Sequence, residues 1–213
     1  MIQVLFPILL SALFGSFMST ASGETAGPVF KEGQHYQRVV PQQPTRTGDK
    51  IEVLEIFWYG CPHCYSFEPY VQDWLKTKAD DVEFRRLPGI FRDEWVPHAR
   101  AYYTAQTLGV LDAIHVPLFE ALHLDGKRVF NQAELADFFE KHGIAKVEFN
   151  KIYDSFSIDG KTRHAMLMSR EYGISGVPAV IINGKYRASA TSAGNFAKLL
   201  KLVDQLVDTE RME

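Results

Sequence analysis

The 213-residue sequence contains only two cysteines, Cys61 and Cys64. So few cysteines exclude a small secreted scaffold held by several disulfides, and a bond between residues this close would close almost no loop. Neither sign of charge is in strong excess, since 23 Lys and Arg stand against 26 Asp and Glu. A net charge of -3 provides no basic surface of the kind that nucleic-acid-binding proteins carry. The cysteine pair therefore indicates chemistry, or half of a metal site.

Charged side chains are also absent from residues 1–23, where an apolar run (2–18) is followed by small residues. Such a run, ending at Ala21 and Gly23, is typical of a secretory signal peptide that is cut before Glu24. No Lys or Arg precedes the run, and its length of about 17 residues is near the lower limit for a spanning helix. An uncleaved anchor and a buried N-terminal helix are the alternatives. We predict a signal peptide and export, which places the cysteines in an oxidising compartment.

Hydrophobic periodicity predicts an α/β fold. Residues 51–59 form a nearly continuous apolar run, as expected for a central strand that is covered on both faces. From Pro62 to about Lys78 the apolar spacing changes to three and four, which predicts a helix, and residues 82–87 predict a second strand. Strand, helix and strand of this length form a right-handed unit with parallel strands.

Strand patterns stop after residue 88, and helical patterns follow. They cover about 98–109, 112–124, 132–142, 146–155 and 160–172. We therefore predict a helical insertion over residues 89–171, so that residues 24–88 and 172–213 form the other domain. In the last part, residues 179–182 predict a short buried strand, Asn183 and Gly184 a hairpin turn, and the residues from about Ser192 onwards a final helix.

The two cysteines lie where the first strand pattern ends and the first helix pattern begins. A C-x-x-C at such a junction indicates a thioredoxin-like redox site. In the first turn of a helix the two sulfurs share a face, and the first lies where unpaired N–H groups and the positive end of the helix dipole meet. We therefore predict that Cys61 is an exposed, easily ionised nucleophile and that Cys64 is the resolving thiol in apolar surroundings.

His63 stands between the cysteines and is predicted to lower the pKa of the Cys61 thiol further, because a cationic or hydrogen-bonding imidazole stabilises a thiolate. A stabilised thiolate favours the reduced pair. A depression of several pKa units would correspond to a shift on the order of 100 mV, since one unit is about 1.4 kcal/mol and about 30 mV is the same energy for two electrons. His63 therefore favours a disulfide donor over a reductant.

A C-x-x-C pair is also common in structural zinc sites, which use four ligands. The sequence has no second cysteine pair, and His115, His123, His142 and His164 show no ligand-like clustering. A purely structural disulfide is the other alternative. We predict redox chemistry at the cysteine pair with no metal and no other cofactor, and we expect these histidines to be surface residues or hydrogen-bonding core residues.

Glu55 lies in the strand that precedes the cysteines, between apolar residues. It could be a strand-end carboxylate that faces solvent. We favour a semi-buried acid with a raised pKa that carries a proton to or from Cys64. Glu68, one turn after Cys64, is expected near the surface of the site, where it either pairs with Arg85 or Arg86 or stays solvated.

Three segments of the chain closely resemble the DsbA family of thiol:disulfide interchange proteins. They are VLEIFWYGCPHCYSFEP (53–69), VPLFEAL (116–122) and GVPAVIINGKY (176–186). The resemblance covers essentially all of residues 30–207. CPHC together with a Val before a Pro is quite specific to that family, whereas C-x-x-C alone is common to all thioredoxin relatives. A strongly depressed thiol pKa is already known for DsbA proteins, so the prediction for Cys61 agrees with a known case.

The resemblance implies a thioredoxin-like fold with an inserted helical domain. On sequence grounds Pro178 is an ordinary proline at the start of a strand. The resemblance makes it a cis-proline packed against the dithiol, with the Val177 backbone free to pair with an extended substrate. Carried over by position, Cys61, Pro62, His63 and Cys64 are the redox centre, Val177 and Pro178 the substrate-side loop, and Glu55 the buried acid.

The resemblance also implies an activity and partners. By this resemblance, the protein is expected to be a monomeric periplasmic oxidase. It would pass its Cys61–Cys64 disulfide to reduced, newly exported polypeptides through a mixed disulfide at Cys61. A quinone-linked inner-membrane protein of the DsbB type would then reoxidise it. Two other functions stay open from the residues themselves. One is an exported thioredoxin-like reductant, which His63 disfavours, and the other is a peptide-binding chaperone in which the dithiol is incidental.

Overall fold

The computed structural model describes residues 1–2 and 29–212. The signal peptide predicted over residues 1–23 lies, apart from its first two residues, outside this range. Within the range, none of the helices is both long and apolar enough to cross a membrane.

In the described part of the chain, five strands form one mixed sheet. They are β1 (Tyr36–Arg38), β2 (Ile51–Phe57), β3 (Val82–Pro88), β4 (Ala179–Ile182) and β5 (Tyr186–Ser189). Their order in the sheet is β1-β5-β4-β2-β3. The strands β2 and β3 are parallel, as predicted, and all other neighbours are antiparallel. β2 is therefore hydrogen-bonded on both sides, which agrees with its apolar sequence.

Eight α-helices are found in the described residues, together with a short 3-10 helix at Asp93–Trp95. They are α1 (Pro62–Leu75), α2 (Val96–Leu108), α3 (Leu111–His123), α4 (Gln132–Lys141), α5 (Lys146–Tyr153), α6 (Phe156–Glu171), α7 (Ala190–Ala193) and α8 (Phe196–Arg211). Five of them, α2 to α6, follow one another between β3 and β4. The predicted α/β fold with a helical insertion is thus confirmed.

Some predicted element ends differ from the observed ones. The first core strand, expected to continue to Tyr59, ends at Phe57. The final helix, expected from about Ser192, is interrupted because Gly194 has a φ of 105°. A new helix starts at once, since the side chain of Asn195 accepts a hydrogen bond from a backbone N–H of its first turn.

Two local motifs define the ends of elements, and the second of them, the hairpin turn, confirms a prediction. The Asn131 side chain accepts a hydrogen bond from the Glu134 N–H at 3.0 Å, and the Glu134 carboxylate accepts one from the Asn131 N–H at 3.2 Å, so that a capping box begins α4. Asn183 and Gly184 both have positive φ, 48° and 66°, as a two-residue hairpin turn requires.

Two buried clusters lie on opposite faces of the sheet. Because successive strand residues point to opposite faces, Val53 of β2 packs with α1 and α8, whereas Leu54 and Ile56 pack with the insertion. The residues of β4 alternate in the same way. The insertion therefore shares its core with the sheet, and Cys64 lies within that shared core.

Candidate active site

Cys61 is the N-cap residue of α1, and both cysteines are free thiols in this structure. Its backbone is extended (φ -93°, ψ 115°), its N–H donates to the carbonyl oxygen of Trp58 at 3.0 Å, and no side chain caps the helix. Pro62 occupies the first turn, where a helix does not need its N–H. The N–H groups of His63 and Cys64 are left to donate to the Cys61 sulfur.

These surroundings lower the pKa of the Cys61 thiol to about 6. The largest cause is the hydrogen bond between the two cysteine side chains. Burial opposes the shift, while the N–H groups of Cys64 and His63, and then the charge of the His63 imidazole, support it. The low pKa agrees with the prediction, but His63 contributes less than expected. Cys61 is also less exposed than predicted, since only 8% of its surface is accessible.

Cys64 lies one helical turn further on and is fully buried. Burial, the hydrogen bond with Cys61 and the charges of Cys61 and Glu55 raise the pKa of the Cys64 thiol far above its ordinary value. One thiol therefore ionises near neutral pH, while the other keeps its proton. This asymmetry is the one expected for a nucleophile and its resolving partner.

The peptide bond between Val177 and Pro178 is cis, as the resemblance implied. The Cys61 thiol donates a weak hydrogen bond to the Val177 carbonyl oxygen at 3.5 Å, so this oxygen is occupied while the thiol is protonated. A thiolate has no proton to donate, and ionisation of Cys61 would release the oxygen. Gly89 packs against Val177: a Cβ added there would lie 3.1 Å from the valine side chain, so a glycine keeps room for the loop.

A groove of about 500 Å³ lies along the proline loop and reaches His63, the residue between the two cysteines. His63, Val177, Pro178, Arg187 and Phe196 are among the residues that line it. Much of the remaining lining comes from the 173–179 loop and from small side chains after β5, and no Asp or Glu takes part. The groove is therefore next to the dithiol segment, on the side of the proline loop.

Three charged side chains form a buried cluster between β2, β3 and α1. Arg86 donates to the Glu55 carboxylate at 3.0 Å and to the two oxygens of Glu68 at 2.8 and 3.0 Å. Glu68 is 3% exposed, so the expected position near the surface is wrong, whereas the pairing with Arg86 is confirmed. One guanidinium cannot neutralise two buried carboxylates.

The two carboxylates respond in opposite ways. Burial raises the pKa of Glu55 to about 7, although Arg86 attracts its charged form. Burial would also raise the pKa of Glu68, but the imidazole of His115, whose Nε2 lies 3.4 Å from a Glu68 oxygen, and the charge of Arg86 lower it to about 2. Glu55 is therefore the buried acid with a raised pKa that the sequence predicted, and it holds a proton near neutral pH. Its charge also acts on the Cys64 thiol, so the two groups interact.

Tyr59, two residues before Cys61, was not among the predicted site residues. Its hydroxyl lies 2.9 Å from Nδ1 of His115, and its carbonyl oxygen accepts a hydrogen bond from Nε2 of His123 at 2.8 Å. Both histidines were expected to be surface or hydrogen-bonding residues, and the structure places their hydrogen bonds beside the dithiol. The one available signal was their spacing of eight residues, which puts both on one side of α3.

A thiol that ionises near neutral pH, beside a thiol that stays protonated, can form, break and exchange disulfides. Among the described residues, no three His, Cys, Asp or Glu side chains are grouped so that they could hold a metal ion. The reacting group is the cysteine pair itself. On this sheet topology, the site defines a thiol:disulfide oxidoreductase with a thioredoxin-like fold.

Comparisons with known proteins agree with this class. A model of the DSBA-like thioredoxin domain matches residues 86–201. The thiol:disulfide interchange protein DsbA of Pseudomonas syringae pv. tomato is 39% identical over 204 residues, which is 96% of this chain and 95% of the relative. The DsbA of Azotobacter vinelandii is 38% identical over 208 residues, 96% of this chain and 97% of the relative.

Solved structures give the same result. The crystal structure of Pseudomonas aeruginosa DsbA has a TM-score of 0.82 and 39% identity, covering 86% of this chain and 95% of that one. The oxidoreductase DsbA of Xylella fastidiosa has a TM-score of 0.81 and 32% identity, covering 87% and 99%. The chain belongs to the DsbA family of thiol:disulfide interchange proteins.

Proposed function

We propose that this oxidoreductase is a disulfide donor, whose Cys61–Cys64 disulfide passes to reduced exported polypeptides. The observation that carries this direction is the lowered pKa of the Cys61 thiol, about 6 against an ordinary 9.0. A stabilised thiolate favours the reduced pair and makes the disulfide a better oxidant. At pH 7 this depression is worth roughly 1.4 kcal/mol, or about 30 mV. This contribution to the reduction potential is smaller than the one expected from the sequence. The reason is that a lowered pKa favours the thiolate only to the extent that it lies below the ambient pH.

The reaction takes place in two exchanges. A substrate thiolate attacks the Cys61 sulfur, the Cys61–Cys64 bond breaks, and the Cys64 sulfur leaves as a thiolate that takes up a proton. A second substrate thiolate then attacks the substrate sulfur of the mixed disulfide and releases Cys61 as a thiolate. The substrate loses two electrons and gains a disulfide, and the protein becomes the dithiol. The low pKa of Cys61 makes it a good leaving group in the second exchange.

Glu55 is proposed to supply the proton for Cys64. The raised pKa of Cys64 means that its thiolate cannot persist in the core. Glu55 has a pKa of about 7, is 1% exposed and interacts with that thiol, so it carries a proton at the pH at which one is needed. Reoxidation would return the proton by the same route.

The Val177–Pro178 loop is proposed to hold the substrate chain. The Val177 carbonyl oxygen accepts from the Cys61 sulfur only while Cys61 is a protonated thiol, so in the Cys61–Cys64 disulfide that meets the substrate this oxygen is left without that donor. An extended peptide that hydrogen-bonds to this backbone would add a strand at the edge of the site, with its cysteine facing Cys61. The groove beyond the loop would take the flanking residues.

The location and the remaining partners belong to the same proposal. Exported dithiol polypeptides are met in the periplasm, where a disulfide can persist. We propose that the protein works there as a monomer, that a quinone-linked inner-membrane protein of the DsbB type reoxidises it, and that it uses no nucleic acid, metal or other cofactor. The division into residues 24–88 with 172–213, and 89–171, is part of this proposal.

Equilibration of the Cys61–Cys64 disulfide with glutathione buffers, read by thiol alkylation, tests the direction of electron flow. A potential well above the cytosolic glutathione range, together with an acidic Cys61 pKa, would establish a donor. A potential at the reducing end of the scale, with a Cys61 pKa near its ordinary value, would make the protein an exported reductant.

Trapping of intermediates tests the roles of the two cysteines. Cys64→Ser lacks the resolving thiol and should accumulate mixed disulfides with substrates on a non-reducing gel. Cys61→Ser should lose turnover and trap nothing. A Cys61→Ser protein with full biological function would instead support the chaperone alternative, in which the dithiol is incidental.

A further inference from the structure

The last turn of α3 contacts the chain on both sides of the cysteine pair. His123 donates from Nε2 to the carbonyl oxygen of Tyr59 at 2.8 Å. The same imidazole is stacked on the ring of Tyr65, with centroids 5.4 Å apart and planes at 10°. Tyr59 precedes Cys61 by two residues and Tyr65 follows Cys64 directly. One side chain of the insertion thus spans the dithiol segment, residues 59–65.

Tyr59 has little freedom to move around this contact. It is 1% exposed, its hydroxyl lies 2.9 Å from Nδ1 of His115, and its ring packs edge-on against Phe57 and Phe119 at 5.1 and 4.9 Å. His115 and His123 therefore act from one helix on the two polar ends of one residue. A carbonyl as buried as that of Tyr59 needs such a donor, since an unsatisfied one costs free energy.

The dithiol segment is also the part of the chain on which the ionisation of Cys61 depends. The Tyr65 N–H donates to the Cys61 carbonyl at 3.2 Å and starts the helix. The N–H groups between these residues donate to the Cys61 sulfur and support its low pKa. A change in the path from Tyr59 to Tyr65 would change the alignment of these donors with the sulfur.

We propose that His123 is a positioning residue for the redox centre, which holds the dithiol segment in the conformation that stabilises the Cys61 thiolate. The hydrogen bond to the Tyr59 carbonyl fixes the approach to Cys61, and the stack on Tyr65 fixes the first turn of α1. The helical insertion thereby contributes to the oxidising power of a site whose cysteines lie outside it.

Three substitutions separate the two contacts. His123→Leu removes both, His123→Gln keeps a side-chain N–H donor without the ring, and His123→Phe keeps the ring without the donor. His142→Leu is the matched control, because His142 makes the same kinds of contact, with the Phe138 carbonyl at 2.8 Å and the Phe138 ring at 4.3 Å, at the end of α4. All four proteins are compared with the parent for their glutathione equilibrium, Cys61 pKa and thermal unfolding.

We expect His123→Leu to raise the Cys61 pKa by about half a unit to one unit and, at pH 7, to lower the equilibrium constant for oxidation of glutathione about two- to sixfold. In His123→Gln, the glutathione equilibrium constant and the acid dissociation constant of Cys61 should both be within about twofold of the parent values. In His123→Phe, both should lie between the values for His123→Gln and His123→Leu. His142→Leu should change neither.

Loss of thermal stability with an unchanged equilibrium constant and pKa in His123→Leu would reduce His123 to a structural residue and overturn the inference. If His123→Leu does not fold, the inference requires that His123→Phe be less oxidising than His123→Gln, and equality of these two would overturn it. The inference rests on the proposed donor function, but the two can fail separately. A low reduction potential of the parent protein would refute the donor role. Variants at His123 with the same glutathione equilibrium constant as the parent would refute the role of His123.

Discussion

The N-termini of α1 and α4 differ in what accepts the hydrogen bonds of their first N–H groups. Each helix begins with backbone N–H groups that have no partner within the helix. In α4, the side chain of Asn131 accepts one of these bonds, and Glu134 returns one to the Asn131 N–H. In α1, the N-cap residue is Cys61 and no side-chain cap is formed. The free donors of α1 are directed at a sulfur that can be charged or bonded.

The N-terminus of α1 makes the disulfide more oxidising, because it stabilises the reduced form. A thiolate at the N-cap accepts the donors that Asn131 satisfies in α4, whereas a disulfide sulfur without charge accepts them poorly. The reduced form of α1 is therefore the better-capped form. The N-terminal N–H groups of α4 stabilise the fold whether the cysteines are oxidised or reduced. Those of α1 stabilise the reduced state more than the oxidised state.

The largest effect is expected when the chief donor to the Cys61 sulfur is removed. Cys64→Ala should raise the Cys61 pKa from about 6 by roughly one unit or more, because the bond between the cysteine side chains is the main cause of the shift. Cys64→Ser keeps a hydroxyl donor and should change it less, and His63→Ala should also shift it less than Cys64→Ala. Thiolate absorbance against pH measures all three. A larger shift in His63→Ala would mean that the imidazole charge dominates.

A smaller effect is expected from the buried carboxylates, and it depends on pH. The pKa of Glu55 is raised from 4.5 to about 7 in the folded protein. The folded state therefore binds this proton more tightly than the unfolded state, so this group's contribution to stability is lost as pH rises from about 4.5 through 7. Glu55→Gln cannot ionise and should reduce the loss between pH 5 and 8, by an amount on the order of 1 kcal/mol.

Urea unfolding of the reduced protein at several pH values measures that difference. Glu68→Gln is the comparison variant, because the pKa of Glu68 is lowered to about 2; since the charge of Glu68 also raises the pKa of Glu55, this variant should shift the loss near neutral pH to lower pH without abolishing it. The contribution of Glu68 to the free energy of unfolding is present above about pH 4.5 and is lost as the pH falls towards 2. Glu68→Gln should therefore change the acid part of the plot of stability against pH. Equal slopes for Glu55→Gln and the parent from pH 5 to 8 would contradict the raised pKa.

The smallest effect is expected at the other helix end. Asn131→Ala removes the side-chain cap of α4 and should lower the free energy of unfolding by about 1 kcal/mol. The glutathione equilibrium should stay within about twofold of the parent, since this cap lies in the insertion away from the cysteines. A changed equilibrium constant would show that the two helix ends are not independent.

Local patterns predicted the parts of the site that depend on neighbours in sequence. The apolar run of β2, the change of period at Pro62 and the C-x-x-C at their junction were enough to place Cys61 and Cys64 in the first turn of α1. The cis-proline could not be derived in this way. It followed from the family resemblance, because the contact between Val177 and Cys61 joins distant parts of the chain.

Contacts across the fold were the parts that the sequence did not predict. Glu68 was expected near the surface, although its spacing of four from Cys64 places both on one face of α1, and that spacing should have indicated burial. No pattern connects Tyr59 with His115 and His123, because their contacts arise only when α3 packs on the sheet. His63 contributes less to the low pKa of Cys61 than the sequence predicts, because the leading cause, the hydrogen bond between the cysteine side chains, depends on their three-dimensional arrangement.

The pairing of β2 with β4 has a consequence for the order in which the molecule is made. Glu55 of β2 pairs with Val180 of β4, and the whole insertion lies between them in the chain. A chain synthesised from its N-terminus presents both cysteines long before β4 exists, and contacts between such distant segments form slowly. Until they form, Cys61 and Cys64 belong to an incomplete fold with reactive thiols. Each newly made copy is then, until its fold is complete, a dithiol polypeptide of the same kind as the proposed substrates.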